Sequence, residues 1–261
     1  MIATELITPP SWRCIDFISD LHLHASDAKT FLAWESYLSR TTADAVFILG
    51  DLFEVWVGDD CLRPGSFEQK CADVLRRITS HVAVYLMHGN RDFLLSAAFM
   101  QASGCIPLQD PTVLGLGDTR WLLTHGDGLC LDDIDYQDFR KVVRSAEWQS
   151  NFLSKPLADR KIIANGIRSQ SEGRKKTTEK YADADTAASI TLMDCNAAQH
   201  MIHGHTHRPH THILPLGCTR IVLSDWDLAT SPPRAEVLRL QCAANNHWTT
   251  SRENPRAIAT P

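Results

Sequence analysis

Six short apolar runs, each stopped abruptly by polar residues, constrain this chain more than any other feature. They occupy residues 14–19, 45–49, 82–87, 121–124, 201–203 and 220–224. Runs this short, rich in Val, Ile and Leu and without a sustained 3.6-residue period, predict buried strands. Between them, residues 28–39 and 67–78 carry apolar side chains at helical spacing, with Phe67, Cys71, Val74 and Ile78 on one face. Strand and helix patterns that alternate in this way predict an α/β layered fold.

Residues 135–192 break the alternation. They are rich in Lys, Arg, Ser, Glu and Ala, and Phe139, Val142, Val143, Trp148, Phe152 and Leu153 predict an amphipathic helical insertion rather than more sheet. The organisation expected is one domain over 12–243, interrupted by this insertion, and a polar, poorly ordered tail over 244–261. With 44% hydrophobic residues the chain has enough apolar surface to exclude wholesale disorder. No apolar run approaches the ~20 residues of a membrane span. A net charge of −5, from 26 Lys+Arg against 31 Asp+Glu, argues against a protein that mainly neutralises nucleic-acid phosphates. The eight cysteines form no C-x-x-C pair, and the start MIATELITPPSWRC lacks the basic and apolar regions of a signal peptide. Buried, reduced thiols in a cytoplasmic protein are expected.

The chemistry sits where the runs stop. The first ends in Ser19-Asp20-Leu21-His22, the second in Gly50-Asp51, and the third in Gly89-Asn90-Arg91-Asp92. The fourth ends in His125-Gly126-Asp127, and the fifth in His203-Gly204-His205-Thr206-His207. All carry carboxylate, amide or imidazole groups, the oxygen and nitrogen donors of divalent metals. Any one alone reads as a turn or a packed histidine. Together they predict convergence outside the carboxyl ends of the strands, where open α/β sheets build their sites.

The order D-x-H, G-D, G-N-x-D, H-G-D, G-H-x-H resembles the calcineurin-like metallophosphoesterase superfamily. The longer strings at 18–23 (ISDLHL), 50–56 (GDLFEVW), 88–95 (HGNRDFLL), 125–130 (HGDGLC), 203–209 (HGHTHRP) and 222–226 (VLSDW) resemble its UDP-2,3-diacylglucosamine pyrophosphatase family, over about residues 14–240. The resemblance implies a β-sandwich flanked by helices, with a helical lid at the insertion. It implies hydrolysis of the pyrophosphate bond of UDP-2,3-diacylglucosamine to UMP and 2,3-diacylglucosamine 1-phosphate (lipid X), a step of lipid A biosynthesis. Two Mn²⁺ ions are implied, the first on Asp20, His22 and His207, the second on Asn90, His125 and His205, with Asp51 bridging. Two cations ~3.5–4 Å apart clamp a phosphoryl group and lower the pKa of a coordinated water, which is what an anhydride needs.

Asn90 and Arg91 are the catalytic expectations. Many superfamily members place a histidine after the motif asparagine, suited to protonating an alkoxide. A phosphate monoester leaving group needs charge more than a proton, and an arginine fork supplies it. The bland alternative is an Arg91–carboxylate pair. Asp92 is expected to orient a histidine or the arginine, and His88 and His203 to support the ligands. Substrate contacts implied are Asn90, Arg91, His205, Asp133, Ser171, and a lysine among Lys175, Lys176 and Lys180. The lid and the basic cluster of Arg168, Arg174, Lys175, Lys176 and Lys180 suggest peripheral contact with the cytoplasmic face of the inner membrane. A monomer without nucleic acid is expected. Two rivals stand beside this reading: a phosphodiesterase of the same fold acting on another phosphodiester or nucleotide, and a non-enzymatic scaffold that has lost its metals.

Overall fold

Every one of the six apolar runs is a strand, and the strands build two facing sheets. The computed structural model describes residues 2–177, 183–244 and 246–257, with side chains to 168 in the first stretch. The first half of the chain runs β1 (Thr4–Ile7), β2 (Cys14–Ile18), α1 (Ala28–Leu38), β3 (Ala45–Leu49), α2 (Phe67–Ile78), β4 (Ala83–Met87) and α3 (Ala97–Ser103). Then come β5 (Ile106–Leu108), β6 (Thr112–Leu116) and β7 (Thr119–Thr124). Four helices follow: α4 (Ile134–Val143), α5 (Ala146–Leu153), α6 (Leu157–Thr177) and α7 (Thr186–Cys195). The chain closes with β8 (His200–His203), β9 (His210–Ile213), β10 (Thr219–Val222), β11 (Val237–Cys242) and β12 (Trp248–Glu253).

One sheet has the order β12-β11-β2-β3-β4-β5 and the other β1-β6-β7-β8-β10-β9. Strands β2, β3 and β4 are parallel, with Phe17 beside Phe47 and Phe47 beside Tyr85. In the second sheet β7, β8 and β10 are parallel. All five residues of β3 are buried, and they divide between two layers with the strand's period of two. Ala45, Phe47 and Leu49 meet Leu114, Leu123 and Ile202 of the second sheet. Val46 and Ile48 lie under the helices, among Phe31, Trp34, Leu75 and Phe99. Each large side chain sealed this way contributes about 1.5–3 kcal/mol. Asp27 and Ser66 fix where the helices begin, accepting from Thr30 N at 3.1 Å and Gln69 N at 3.0 Å.

Three expectations need correction. The tail is not merely a loose polar end, because Trp248–Glu253 pairs antiparallel with β11 along its whole length. The strand β1 likewise adds sheet ahead of residue 12, pairing with β6. The insertion is helical as expected, but α7 serves a different layer: Met193 is buried with Val113, Leu122 and Met201 on the outer face of the second sheet. The eight cysteines are all free, yet only Cys61, Cys71, Cys105 and Cys130 are buried, and Cys195 is exposed. Among the described residues no helix is long and apolar enough to cross a membrane.

Candidate metal centre

The turns leaving β2, β3, β4, β7 and β8 meet at one place between the two sheets. Their backbone is strained there. Eight non-glycine residues among those described have positive φ, and five are sequence-predicted ligands: Asp20 (53°), His22 (48°), Asp51 (52°), His205 (66°) and His207 (53°). Such conformations cost about 1–3 kcal/mol each and persist only where the surroundings over-determine them. Two glycines make the crowding possible. A Cβ at Gly89 would collide with the Asp51 carboxylate, and one at Gly204 with the Asp20 carboxylate.

The seven predicted ligands converge. His207 Nε2 lies 3.3 Å from Asp20 Oδ1 and 3.2 Å from His22 Nε2. On the other side, Asn90 Oδ1 is 2.9 Å from His125 Nε2 and 2.8 Å from His205 Nδ1. Asp51 Oδ1 lies 3.8 Å from His125 Nε2, and donor atoms of Asp20, Asp51 and His125 all fall within 4.8 Å of one another. Asp51 therefore stands between the two sets.

Charge is poorly balanced by protein groups alone. Burial pushes the Asp51 carboxyl up to about 7, with Asp92 and Asp20 adding to it against the pull of His125. Burial opposes the charged form of His125 too, but Asp51, Asp20 and Asp127 raise it to about 9. Burial and the neighbouring His125 push His205 down to about 3. Asp20 is held below the usual carboxylate range: burial raises it, but the close approach of His207 and the surrounding imidazoles prevail. Asp20 Oδ1 and His22 Nδ1 are buried without a hydrogen-bond partner. Adjacent buried carboxylates with an orphaned oxygen call for compensating positive charge. Carboxylate, imidazole and amide donors without thiolate suit a pair of divalent cations, so these residues fit the metals that the motif order implies.

Groups around the ligands set their orientation. A carbonyl only accepts, so His125 Nδ1 donates to Leu49 O at 2.9 Å and leaves Nε2 facing Asn90. His205 N and Ser19 Oγ donate to Asp20 Oδ2 at 2.9 and 2.6 Å. Arg91 N donates to Asp51 Oδ1 at 2.8 Å. His207 Nδ1 lies 3.7 Å from Asp225 Oδ2, and Arg234 grips that carboxylate through Nε at 3.0 Å and Nη2 at 2.8 Å. His203 is buried with Nδ1 donating to Gly204 O at 2.8 Å.

Other sequence expectations fare differently. Asp92 touches neither a histidine ring nor the arginine's fork; it accepts from Gly89 N and Leu52 N, both at 2.8 Å, and so ties two motif loops together. The Arg91 fork does have a carboxylate beside it, with Nη1 3.5 Å from Glu54 Oε1, at the edge of the cluster. Asp133 is exposed and caps α4, accepting from Tyr136 N at 3.1 Å. The side chains of Ser171, Lys175 and Lys176, and Lys180 altogether, lie outside the described residues.

Three carboxylates given no role in the sequence join the site: Asp225, Glu54 and Asp127. Asp127 is buried and accepts from Tyr136 Oη at 2.6 Å and Arg140 Nε at 2.7 Å. Tyr136 in turn stacks on His205, with ring centroids 5.9 Å apart. The motif strings contained all three residues. What they lacked was the partner, which only the fold supplies.

Residues 15–209 match the family model of calcineurin-like phosphoesterases. The chain is 42% identical over 248 residues to a UDP-2,3-diacylglucosamine hydrolase of Stenotrophomonas maltophilia, covering 89% of this chain and 96% of that one. It is 43% identical over 215 residues to a UDP-2,3-diacylglucosamine hydrolase of Shewanella putrefaciens, covering 80% and 88%. A solved archaeal phosphodiesterase aligns over 92% of this chain and 99% of its own, at 12% identity and a TM-score of 0.46.

Proposed function

For a chain that belongs to the calcineurin-like phosphoesterase family, we propose hydrolysis of the diphosphate linkage of UDP-2,3-diacylglucosamine, giving UMP and 2,3-diacylglucosamine 1-phosphate. The observation that carries this reading is the convergence of seven metal-donor residues from both sheets with one arginine fork at their edge. The identity to named hydrolases of that sugar nucleotide supports the choice of substrate.

Asp20, His22 and His207 would hold one cation, Asn90, His125 and His205 the other, with Asp51 shared. We assign Mn²⁺ to both, on the oxygen and nitrogen character of the donors. Bound there, divalent cations neutralise phosphoryl oxygens and acidify water at neutral pH. The chain's own groups do the rest. Arg91 presents a permanent charge to oxygens that gain charge as the anhydride breaks. Its backbone N–H donates to Asp51, which ties the residue that carries the fork to the carboxylate assigned to both cations. Asn90 and His205 would face the same phosphoryl group, and the family resemblance assigns Asp133, Ser171, Lys175 and Lys176 to the lipid sugar, the side chains of the last three lying outside the described residues.

The insertion supplies the apolar side of the substrate site. Phe139, Val142, Leu153 and Ile162 are exposed on it, with Leu131 and Ile134 just before it, which supports peripheral attachment at the cytoplasmic face of the inner membrane. Co-sedimentation with anionic vesicles at physiological salt checks the attachment; a chain that stays in the supernatant contradicts it. The activity is tested by incubating the protein with UDP-2,3-diacylglucosamine and Mn²⁺ in detergent and following UMP. Absence of UMP, or far faster cleavage of a simple aryl phosphodiester, would overturn the proposal.

A further inference from the structure

Among the described side chains, the insertion's longest helix meets the candidate metal centre at the carboxylate of Glu54. Glu54 follows β3, with its N–H donating to Leu23 O at 3.2 Å beside the Leu23–Phe53 bridge. Its side chain is only 13% exposed. Oε1 lies 3.0 Å from Arg168 Nε on α6 and 3.5 Å from Arg91 Nη1. Oε2 lies 3.4 Å from His22 Nδ1, the orphaned nitrogen on the far side of the ring from His207. A core guanidinium, an insertion guanidinium and a metal-donor histidine thus share one anion.

This arrangement has a cost and a use. A negative charge at the edge of a site for diphosphates weakens ground-state attraction of the substrate. Without it, two guanidinium groups side by side would repel and Arg91 would lose its fixed direction. Among the described residues, Glu54 is the carboxylate within 4.0 Å of the Arg91 fork. We infer that Glu54 is a positioning residue that aims Arg91 at the metal centre and docks α6 onto the core through Arg168, so that the seating of this helix and the alignment of Arg91 depend on one anion. The inference rests on the proposed anhydride hydrolysis, with Arg91 at the phosphoryl oxygens.

The test is a double-mutant cycle on UDP-2,3-diacylglucosamine with Mn²⁺, using Glu54→Gln, Arg91→Ala and both together. Glu54→Gln is expected to lower kcat about tenfold or more while KM stays within about threefold, the mark of an interaction that matters in the transition state. In the Arg91→Ala background the same change is expected to cost less than about twofold, because its intermediary is already gone. Equal losses in both backgrounds, or a normal kcat in Glu54→Gln, would overturn the inference. A second readout needs neither substrate nor metal. Amide exchange over residues 157–168, measured in chelator, is expected to be faster in Glu54→Gln than in the parent chain, and equal rates would refute the docking. Arg168→Gln breaks the tie from the helix side and serves both measurements if Glu54→Gln does not fold. Should the parent chain release no UMP, the substrate reading fails by itself, and the exchange comparison still decides what Glu54 does.

Discussion

Asn90 concentrates the argument at the scale of single residues. Its one amide oxygen lies 2.9 Å from His125 Nε2 and 2.8 Å from His205 Nδ1, a place that a side chain without an oxygen at this reach cannot fill. Asn90→Ala is expected to reduce kcat beyond the ~10–100-fold typical of losing a ligand's outer partner, without lowering the melting temperature by more than a few degrees. Near-normal turnover would remove Asn90 from the site. Asp225→Asn probes such an outer partner. It leaves His207 in place but removes the negative charge opposite Nδ1, and a loss of Mn²⁺ affinity of about 10–100-fold is expected by calorimetry. The seven donor residues that converge were legible in the sequence because metal chemistry restricts donors to few residue types, and five strand ends carried them. Glu54, Asp127 and Asp225 were not, because a lone carboxylate in a loop looks the same whether it faces water or a buried imidazole. The left-handed backbone at Asp20, His22, Asp51, His205 and His207 was illegible for a related reason: the neighbours that enforce it come from distant parts of the chain.

Among the elements, α4 shows how the insertion is fixed to the core. Tyr136, Gln137 and Arg140 lie on one side of the helix and all bond Asp127, the last through the carboxylate and Gln137 through the carbonyl at 2.8 Å. Burial raises the Asp127 carboxyl, yet the charges of His125 and Arg140 and the bond from Arg140 hold it well below the usual range, so it stays ionised at neutral pH. Asp127→Asn weakens a charge-assisted pair whose arginine is 30% exposed. Solvent screening at that end keeps the expected loss to about 1.5–3 kcal/mol rather than the larger cost of a fully buried pair. Urea unfolding measures it, and a loss under about 0.5 kcal/mol would mean the network does not anchor the helix. Elements were legible in proportion to their burial. The six apolar runs are all central or well covered, whereas β5 (IPL), β9 (HTHI) and β12 (WTTSRE) are short, polar or proline-containing edge pieces that carry little hydrophobic pattern. In β11 Leu238 and Leu240 alternate with Arg239 and Gln241, so no continuous apolar run forms, and Arg239 reaches the buried Asp16 at 2.7 Å.

For the whole molecule, the decisive fact is that each donor set spans both sheets. Asp20, His22, Asp51 and Asn90 follow strands of one sheet, and His125, His205 and His207 follow strands of the other. Cations at this junction would therefore cross-link the layers as well as serve chemistry, in a place where buried carboxylates oppose one another. Ligands that bind the folded state alone stabilise it by about 2.7 kcal/mol at 100 times their dissociation constant. At about 2–4 °C per kcal/mol for a chain of this size, saturating Mn²⁺ is expected to raise the melting temperature by about 5–10 °C over protein in chelator. Asp51→Asn, which removes the charge common to both donor sets, is expected to erase most of that increment while leaving the chelated melting temperature unchanged or higher, since one buried carboxylate no longer faces Asp20 and Asp92. The opposite pattern, a variant destabilised equally with and without metal, would show that Asp51 holds the fold by its hydrogen bond to Arg91 rather than by gathering cations.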